Sequence, residues 1–197
     1  MSLFVKICGI TDVDAGMAAA VAGADAVGFV FADSPRQLSP GQAVAISGEL
    51  PPGILRVAVF RNPGPAEIEE VMERFTPDIV QADVGALDDL HGFTTLPVYR
   101  DGGVQMPDGG RFLYEGPVSG AGQTVDLLKA TGMARLGEMV LAGGLRPDNV
   151  GRAIVTVRPH GVDVSSGVET APGMKDPSLI RSFVAAARTA EERLVNA

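Results

Sequence analysis

Cysteine is almost missing from this chain: Cys8 is alone among 197 residues. A single thiol excludes an internal disulfide framework and suits a reducing compartment, so a cytoplasmic location is expected. Basic charge is scarce too, with 16 Lys and Arg against 24 Asp and Glu for a net charge of −8. That deficit argues against a nucleic-acid partner or a membrane surface, and any anionic ligand must be held by local features. Long apolar runs are absent. The longest, such as residues 24–31 (ADAVGFVF), are strand-sized and too short to span a bilayer. Residues 1–8 carry Lys6 inside their apolar run and lack a small-residue cleavage site, so no targeting segment is expected.

What is present is apolar material for one ordinary core: 46% of residues are hydrophobic and 20% charged, which fits a single domain over residues 1–197. The 25 Gly and 14 Pro are spread as punctuation between apolar runs, the mark of many short connections. Residues 3–8 read as a strand and 12–21 as a helix opened by Thr11 or Asp12. The unit recurs at 25–31 with 40–50 and at 54–60 with 65–75, both later helices having Pro in their first turn. Further strands are predicted at 78–82, 95–99, 111–115, 139–142 and 161–164, and helices near 124–131, 147–155 and 177–194. Segments 84–92 and 101–110 are short and Gly-rich, so helices around the fourth and fifth units are expected to be reduced or absent.

Apolar strands alternating with helices predict a parallel sheet covered by helices. An open doubly wound sheet satisfies this, but eight evenly spaced strands favour an α/β fold closed as a small (β/α)8 TIM barrel. In such barrels the chemistry sits at the C-terminal ends of the strands. Cys8 ends the first strand, where a thiolate can serve as nucleophile or base, and Gly9 lets the chain turn away from it. Arg36 follows the second strand and offers a planar fork for a carboxylate. Asp126 follows the loop after the sixth strand, with Glu115 a competing acid at the end of that strand. Gly143 and Gly144 after the seventh strand, and Ser165, Ser166 and Gly167 after the eighth, let backbone N–H groups approach an anion, as in barrel phosphate sites.

Several segments together resemble the phosphoribosylanthranilate isomerase family of tryptophan biosynthesis. They are Lys6-Ile7-Cys8-Gly9-Ile10-Thr11, residues 23–31 (GADAVGFVF), Ser34-Pro35-Arg36, Val57-Ala58-Val59-Phe60, Ala142-Gly143-Gly144-Leu145, Pro147-Asp148-Asn149-Val150, residues 161–169 (GVDVSSGVE) and Pro172-Gly173-Met174-Lys175-Asp176. The resemblance implies a TIM barrel that performs an Amadori rearrangement of N-(5-phosphoribosyl)anthranilate without cofactor or metal, as a monomer or weak homodimer. Carried over by position, Cys8 is the general base at C2′, Asp126 the general acid at the ring oxygen, and Arg36 the holder of the anthranilate carboxylate. Gly143, Gly144, Asp163, Ser165, Ser166 and Gly167 join Arg36 as substrate-binding residues.

A base and an acid on opposite sides of a sugar suit this chemistry, because ring opening needs a proton on oxygen and enolisation needs one removed from carbon. Free cysteine titrates at about 8.5 and free aspartic acid at about 3.9, so the site must shift them or use minor populations. Lys6, two residues before Cys8 on the same strand face, is a candidate to favour the thiolate. The chain departs from the family in three places: Asp83 stands where a histidine is usual, Glu115 where the sixth strand normally ends in Asp, and Ser119 and Gly120 replace paired glycines, with Gly122 kept and Leu127 after Asp126. Two rival readings are a sister aminoaldose isomerase of histidine biosynthesis, which uses an aspartate at the Cys8 position, and a divergent barrel that binds a phosphorylated ligand or partner without turnover.

Overall fold

Eight short runs of Val, Ile, Leu, Phe and Ala become eight parallel strands that close on themselves. A computed structural model describes residues 2–87, 90, 92–117 and 124–196. The strands are β1 (Phe4–Cys8), β2 (Ala26–Val30), β3 (Leu55–Val59), β4 (Ile79–Asp83), β5 (Thr95–Arg100), β6 (Arg111–Glu115), β7 (Glu138–Leu141) and β8 (Gly161–Val164), each paired with its sequence neighbour and β8 with β1. The expected (β/α)8 barrel is therefore observed. An antiparallel hairpin, β9 (Glu169–Ala171) with β10 (Met174–Lys175), stands after β8.

Alternation along each strand sorts side chains between two cores. Phe4, Cys8, Ala26, Val57, Ile79, Leu96, Val98, Leu113 and Val140 point into the barrel, whereas Val5, Ile7, Val27, Phe29, Phe112 and Leu141 pack outward beneath the helices. Both faces are buried, so the strands read as continuous apolar runs. At the seam, Lys6 of β1 lies in register with Asp163 of β8, and the two form an ion pair of 2.8 Å inside the barrel.

The helices are α1 (Val13–Ala22), α2 (Pro40–Gly48), α3 (Pro65–Arg74), α4 (Leu127–Met133), α5 (Val150–Val157) and α6 (Pro177–Val195). Their starts follow from capping: the Asp12 carboxylate accepts from Ala15 N at 2.8 Å, and Ser39 and Gln42 form a capping box ahead of α2. Asp12, rather than Thr11, is the cap of α1. Gly23 ends α1 in the left-handed region at φ 87°, which a side chain would strain. Among the described residues, β4 is followed by a single 3-10 turn (Val84–Ala86) and β5 by turns, so the reduced helices at these two units are observed. Among the described residues no helix is long and apolar enough to cross a membrane.

Candidate active site

A cavity of about 420 Å³ opens at the C-terminal ends of the strands. Cys8, Arg36, Gly143, Gly144, Asp163, Ser165, Ser166 and Gly167 all line it, so eight of the nine residues singled out in the sequence meet in one place. Asp126 is the exception. It caps α4, its Oδ1 accepting from Leu128 N at 2.8 Å and Lys129 N at 3.4 Å, and it is not among the described residues lining the cavity. Residues 118–123 of the segment between β6 and Asp126, among them Ser119, Gly120 and Gly122, lie outside the described residues.

Cys8 sits at the tip of β1, buried, beside Gly28 of β2. Burial pushes its thiol above the ordinary value; Lys6 opposes this and the negative Asp163 adds to it. The surroundings therefore do not hold Cys8 as a standing thiolate. Lys6, fully buried, is lowered by desolvation, but the charge and hydrogen bond of Asp163 and the nearby Cys8 outweigh that, so it stays cationic. The sulfur thus has a fixed positive charge below it, ready to stabilise a thiolate as it forms.

Arg36 occupies the loop after β2, and its stem crosses the turn after β1. A Cβ on Gly9 would stand 2.5 Å from Arg36 Cδ, and Gly9 has φ +76°, so glycine is required there for both space and backbone. Arg36 Nε donates to Glu169 Oε1 at 2.7 Å and Nη2 to Glu169 Oε2 at 2.8 Å. One edge of the guanidinium is thereby occupied. A guanidinium has five N–H donors, and among the described residues Nη1 has no hydrogen-bond partner.

The two Gly/Ser turns converge from neighbouring strands. A Cβ on Gly167 would collide with the Leu145 carbonyl, so these loops touch backbone to backbone only because residue 167 has no side chain. Gly143 and Gly144 turn with φ 91° and 63°, and Asn149 braces the loop by donating from Nδ2 to the Gly144 carbonyl at 2.9 Å. Among the described residues, the N–H groups of Gly143, Gly144, Ser166 and Gly167 donate to no other part of the chain. Backbone donors on adjacent turns facing a cavity form a nest for an anion.

The opposite rim departs from the family pattern in a coordinated way. Asp83 at the end of β4 pairs with Arg100 of β5 at 2.6 Å, and Arg100 also reaches Glu115 of β6 at 3.0 Å. The carboxylate at position 83 is thus balanced by a guanidinium between two acids. Glu115 lines the cavity, together with Asp33, Arg61 and Gln81. Arg61, Asp33, Arg100 and the roles of Glu169 and Lys175 were missed in the sequence. Glu169 and Lys175 stood within matched segments, but no spacing rule links them to Arg36.

Comparison with known proteins identifies the family and the fold. The profile of the family described as N-(5'phosphoribosyl)anthranilate (PRA) isomerase matches residues 5–92 and 105–186. An N-(5'-phosphoribosyl)anthranilate isomerase of Paracoccus denitrificans is 41% identical, over 95% of this chain and 98% of the relative. The crystal structure of phosphoribosyl anthranilate isomerase from Thermotoga maritima superposes with a TM-score of 0.84 at 33% identity, over 95% of this chain and 100% of that one. A phosphoribosyl anthranilate isomerase in complex with reduced 1-(o-carboxyphenylamino)-1-deoxyribulose 5-phosphate superposes with a TM-score of 0.79 at 33% identity, over the same shares. With a profile match across both halves of the barrel and a relative of this identity along nearly all its length, the chain belongs to the N-(5'-phosphoribosyl)anthranilate isomerase family.

Proposed function

We propose that this protein isomerises N-(5-phosphoribosyl)anthranilate to 1-(2-carboxyphenylamino)-1-deoxyribulose 5-phosphate, a step of tryptophan biosynthesis. The observation that carries the reading is the opening of Cys8, the unoccupied edge of Arg36 and the paired Gly/Ser turns onto one cavity. The substrate has matching parts: a phosphate for the turns, a carboxylate for Arg36, and between them a sugar carbon whose proton Cys8 takes. A cytoplasmic location, expected from the lone thiol, belongs to the same reading.

The reaction moves one proton from C2′ to C1′ overall. An acid protonates the ring oxygen, the C1′–O bond breaks, and the anilino nitrogen takes up the positive charge as an iminium. Cys8 then removes the C2′ proton, and the electron pair neutralises the nitrogen to give an enolamine. Its tautomerisation delivers a proton to C1′ and leaves a ketone at C2′. The iminium acidifies C2′, and Lys6 beneath the sulfur stabilises the charge as it develops, so a thiol raised by burial suffices through a minor thiolate population.

Asp126 is the acid that the family resemblance assigns. Glu115 is a second reading, favoured by its place in the cavity lining and opposed by its salt bridge to the Arg100 guanidinium. Activity is tested by making the labile substrate in place from anthranilate and phosphoribosyl pyrophosphate with a transferase and following the loss of its fluorescence. Decay no faster than the spontaneous rate favours a binding protein over an isomerase. Arg36→Met is expected to raise KM with kcat little changed, and a lower kcat at unchanged KM contradicts the clamp role.

A further inference from the structure

The buried charges behind Arg36 neither give nor take a proton in the transfers described above. Glu169 begins the β9–β10 hairpin and Lys175 ends it, and their side chains are 4% and 0% exposed. Lys175 Nζ donates to Glu169 Oε1 at 2.5 Å, to the Ser165 carbonyl at 3.1 Å and to Ser165 Oγ at 3.4 Å. Glu169 in turn holds two donors of Arg36. A continuous chain of charge-assisted bonds therefore runs from Ser165, on the phosphate-side turn, through Lys175 and Glu169 to Arg36, on the carboxylate side. The Thr11 hydroxyl donates to the Gly173 carbonyl at 2.9 Å, pinning the tip of the hairpin to the loop after β1. Gly173, at φ +82°, lies against the Pro35 carbonyl so closely that a Cβ would collide with it, so the hairpin also backs the Arg36 loop.

We infer that Glu169, neutralised by Lys175, is a positioning residue that selects for a carboxylate on the aryl group of the substrate, by turning the Nη1 edge of Arg36 into the cavity. The inference rests on the proposed role of Arg36. An arginine side chain has about 2 kcal/mol of rotamer freedom, so an unbraced Arg36 would sample many orientations before meeting the ligand. Glu169 grips the Nε/Nη2 edge and leaves a single planar fork to present. The cation of Lys175 is needed because an excess carboxylate beside the fork would repel the incoming one. By bonding Ser165 as well, Lys175 ties the two anion subsites into one frame and sets their separation.

The test compares two substrates, the anthranilate adduct and N-(5-phosphoribosyl)aniline formed from aniline and ribose 5-phosphate, which lacks the carboxylate. Glu169→Gln keeps the shape but loses the charge and one acceptor. It is expected to raise KM for the carboxylated substrate about 10-fold, as for a lost charge-assisted contact, with kcat within about 2-fold and the aniline adduct unaffected. In an Arg36→Met background the same substitution should add nothing to KM. Glu169→Asp, which keeps the charge, should recover part of the affinity, and the Arg36 Nε–H resonance should shift in Glu169→Gln.

Equal penalties on both substrates, or a full additional penalty in the Arg36→Met background, would overturn the inference in favour of a purely structural hairpin. An unchanged KM in Glu169→Gln with a raised KM in Arg36→Met would overturn the inference alone. An unchanged KM in Arg36→Met would overturn the clamp reading and the inference with it. If Glu169→Gln does not fold, Lys175→Met is read in the same way on the two substrates.

Discussion

A Cβ built on Gly28 would lie 2.9 Å from the Cys8 sulfur and 3.2 Å from Lys6 Nζ. Gly28 stands beside Cys8 in the β1–β2 register, so its bare backbone forms the floor on which the proposed base and its supporting cation rest. Gly28→Ala is therefore expected to lower kcat about 10²-fold by displacing the sulfur, with a stability loss of about 1–3 kcal/mol from overpacking. Steady-state kinetics paired with urea unfolding check this. Normal turnover in a folded variant would show that the sulfur does not need its present position.

Burial raises the Cys8 thiol, and the base is active when deprotonated. kcat/KM should consequently climb with pH on a limb centred above the ordinary value for the thiol. Cys8→Ser should cost about 10²-fold or more and remove that limb. A rate already level at neutral pH would rule out thiolate formation in the free enzyme as the controlling ionisation.

Asp126 and Glu115 can be separated by replacing each with its amide. Asp126→Asn is expected to lower kcat about 10²-fold or more and Glu115→Gln to do so by much less, because Glu115 is committed to Arg100. The reverse order would move the acid from the α4 cap to the end of β6.

The Lys6–Asp163 pair closes the barrel between its first and last strands. Lys6→Met leaves Asp163 with an unpaired charge and is expected to destabilise the fold by about 3–5 kcal/mol. Adding Asp163→Leu should recover much of that loss, since a well-packed apolar pair removes the stranded charge. Urea midpoints of the single and double variants measure the difference, and a double variant no more stable than Lys6→Met would contradict it.

Glu169 carries an acid signature. Burial alone would raise its carboxyl, but the hydrogen bonds and charges of Arg36 and Lys175 bring it from 4.5 down to about 2. A carboxylate depressed in the folded state contributes stability that is present in full above 4.5 and lost as pH falls through about 2. The stability gap between wild type and Glu169→Gln should hold steady above pH 4.5 and shrink below it. Thermal melts across pH 2 to 7 follow the gap, and one that does not narrow with acid would show that the pairing is absent in solution.

Much of this molecule can be read along the chain because its local rules agree. Buried parallel strands are continuous apolar runs, helix starts carry Asp12, Ser39 and Asp176 as caps, and the Gly-rich stretches after β4 and β5 lack the length and periodicity for helices. Cys8, Gly143 and Ser165 were legible as site residues because strand ends in a barrel face one mouth. Asp126 lies in the stretch 124–131 expected to be helical, and the fold makes it the cap of α4.

Order along the polypeptide, with apolar strand runs alternating with helical stretches, sufficed for the barrel, because neighbouring strands pair with neighbours and each step involves only short-range preference. Partnership among charges came from folding alone. Lys6 meets Asp163 across 157 positions and Arg36 meets Glu169 across 133, and no periodicity spans such separations. Closing the sheet brings β8 and its hairpin beside β1 and β2, and exclusion of water there gives those encounters their strength.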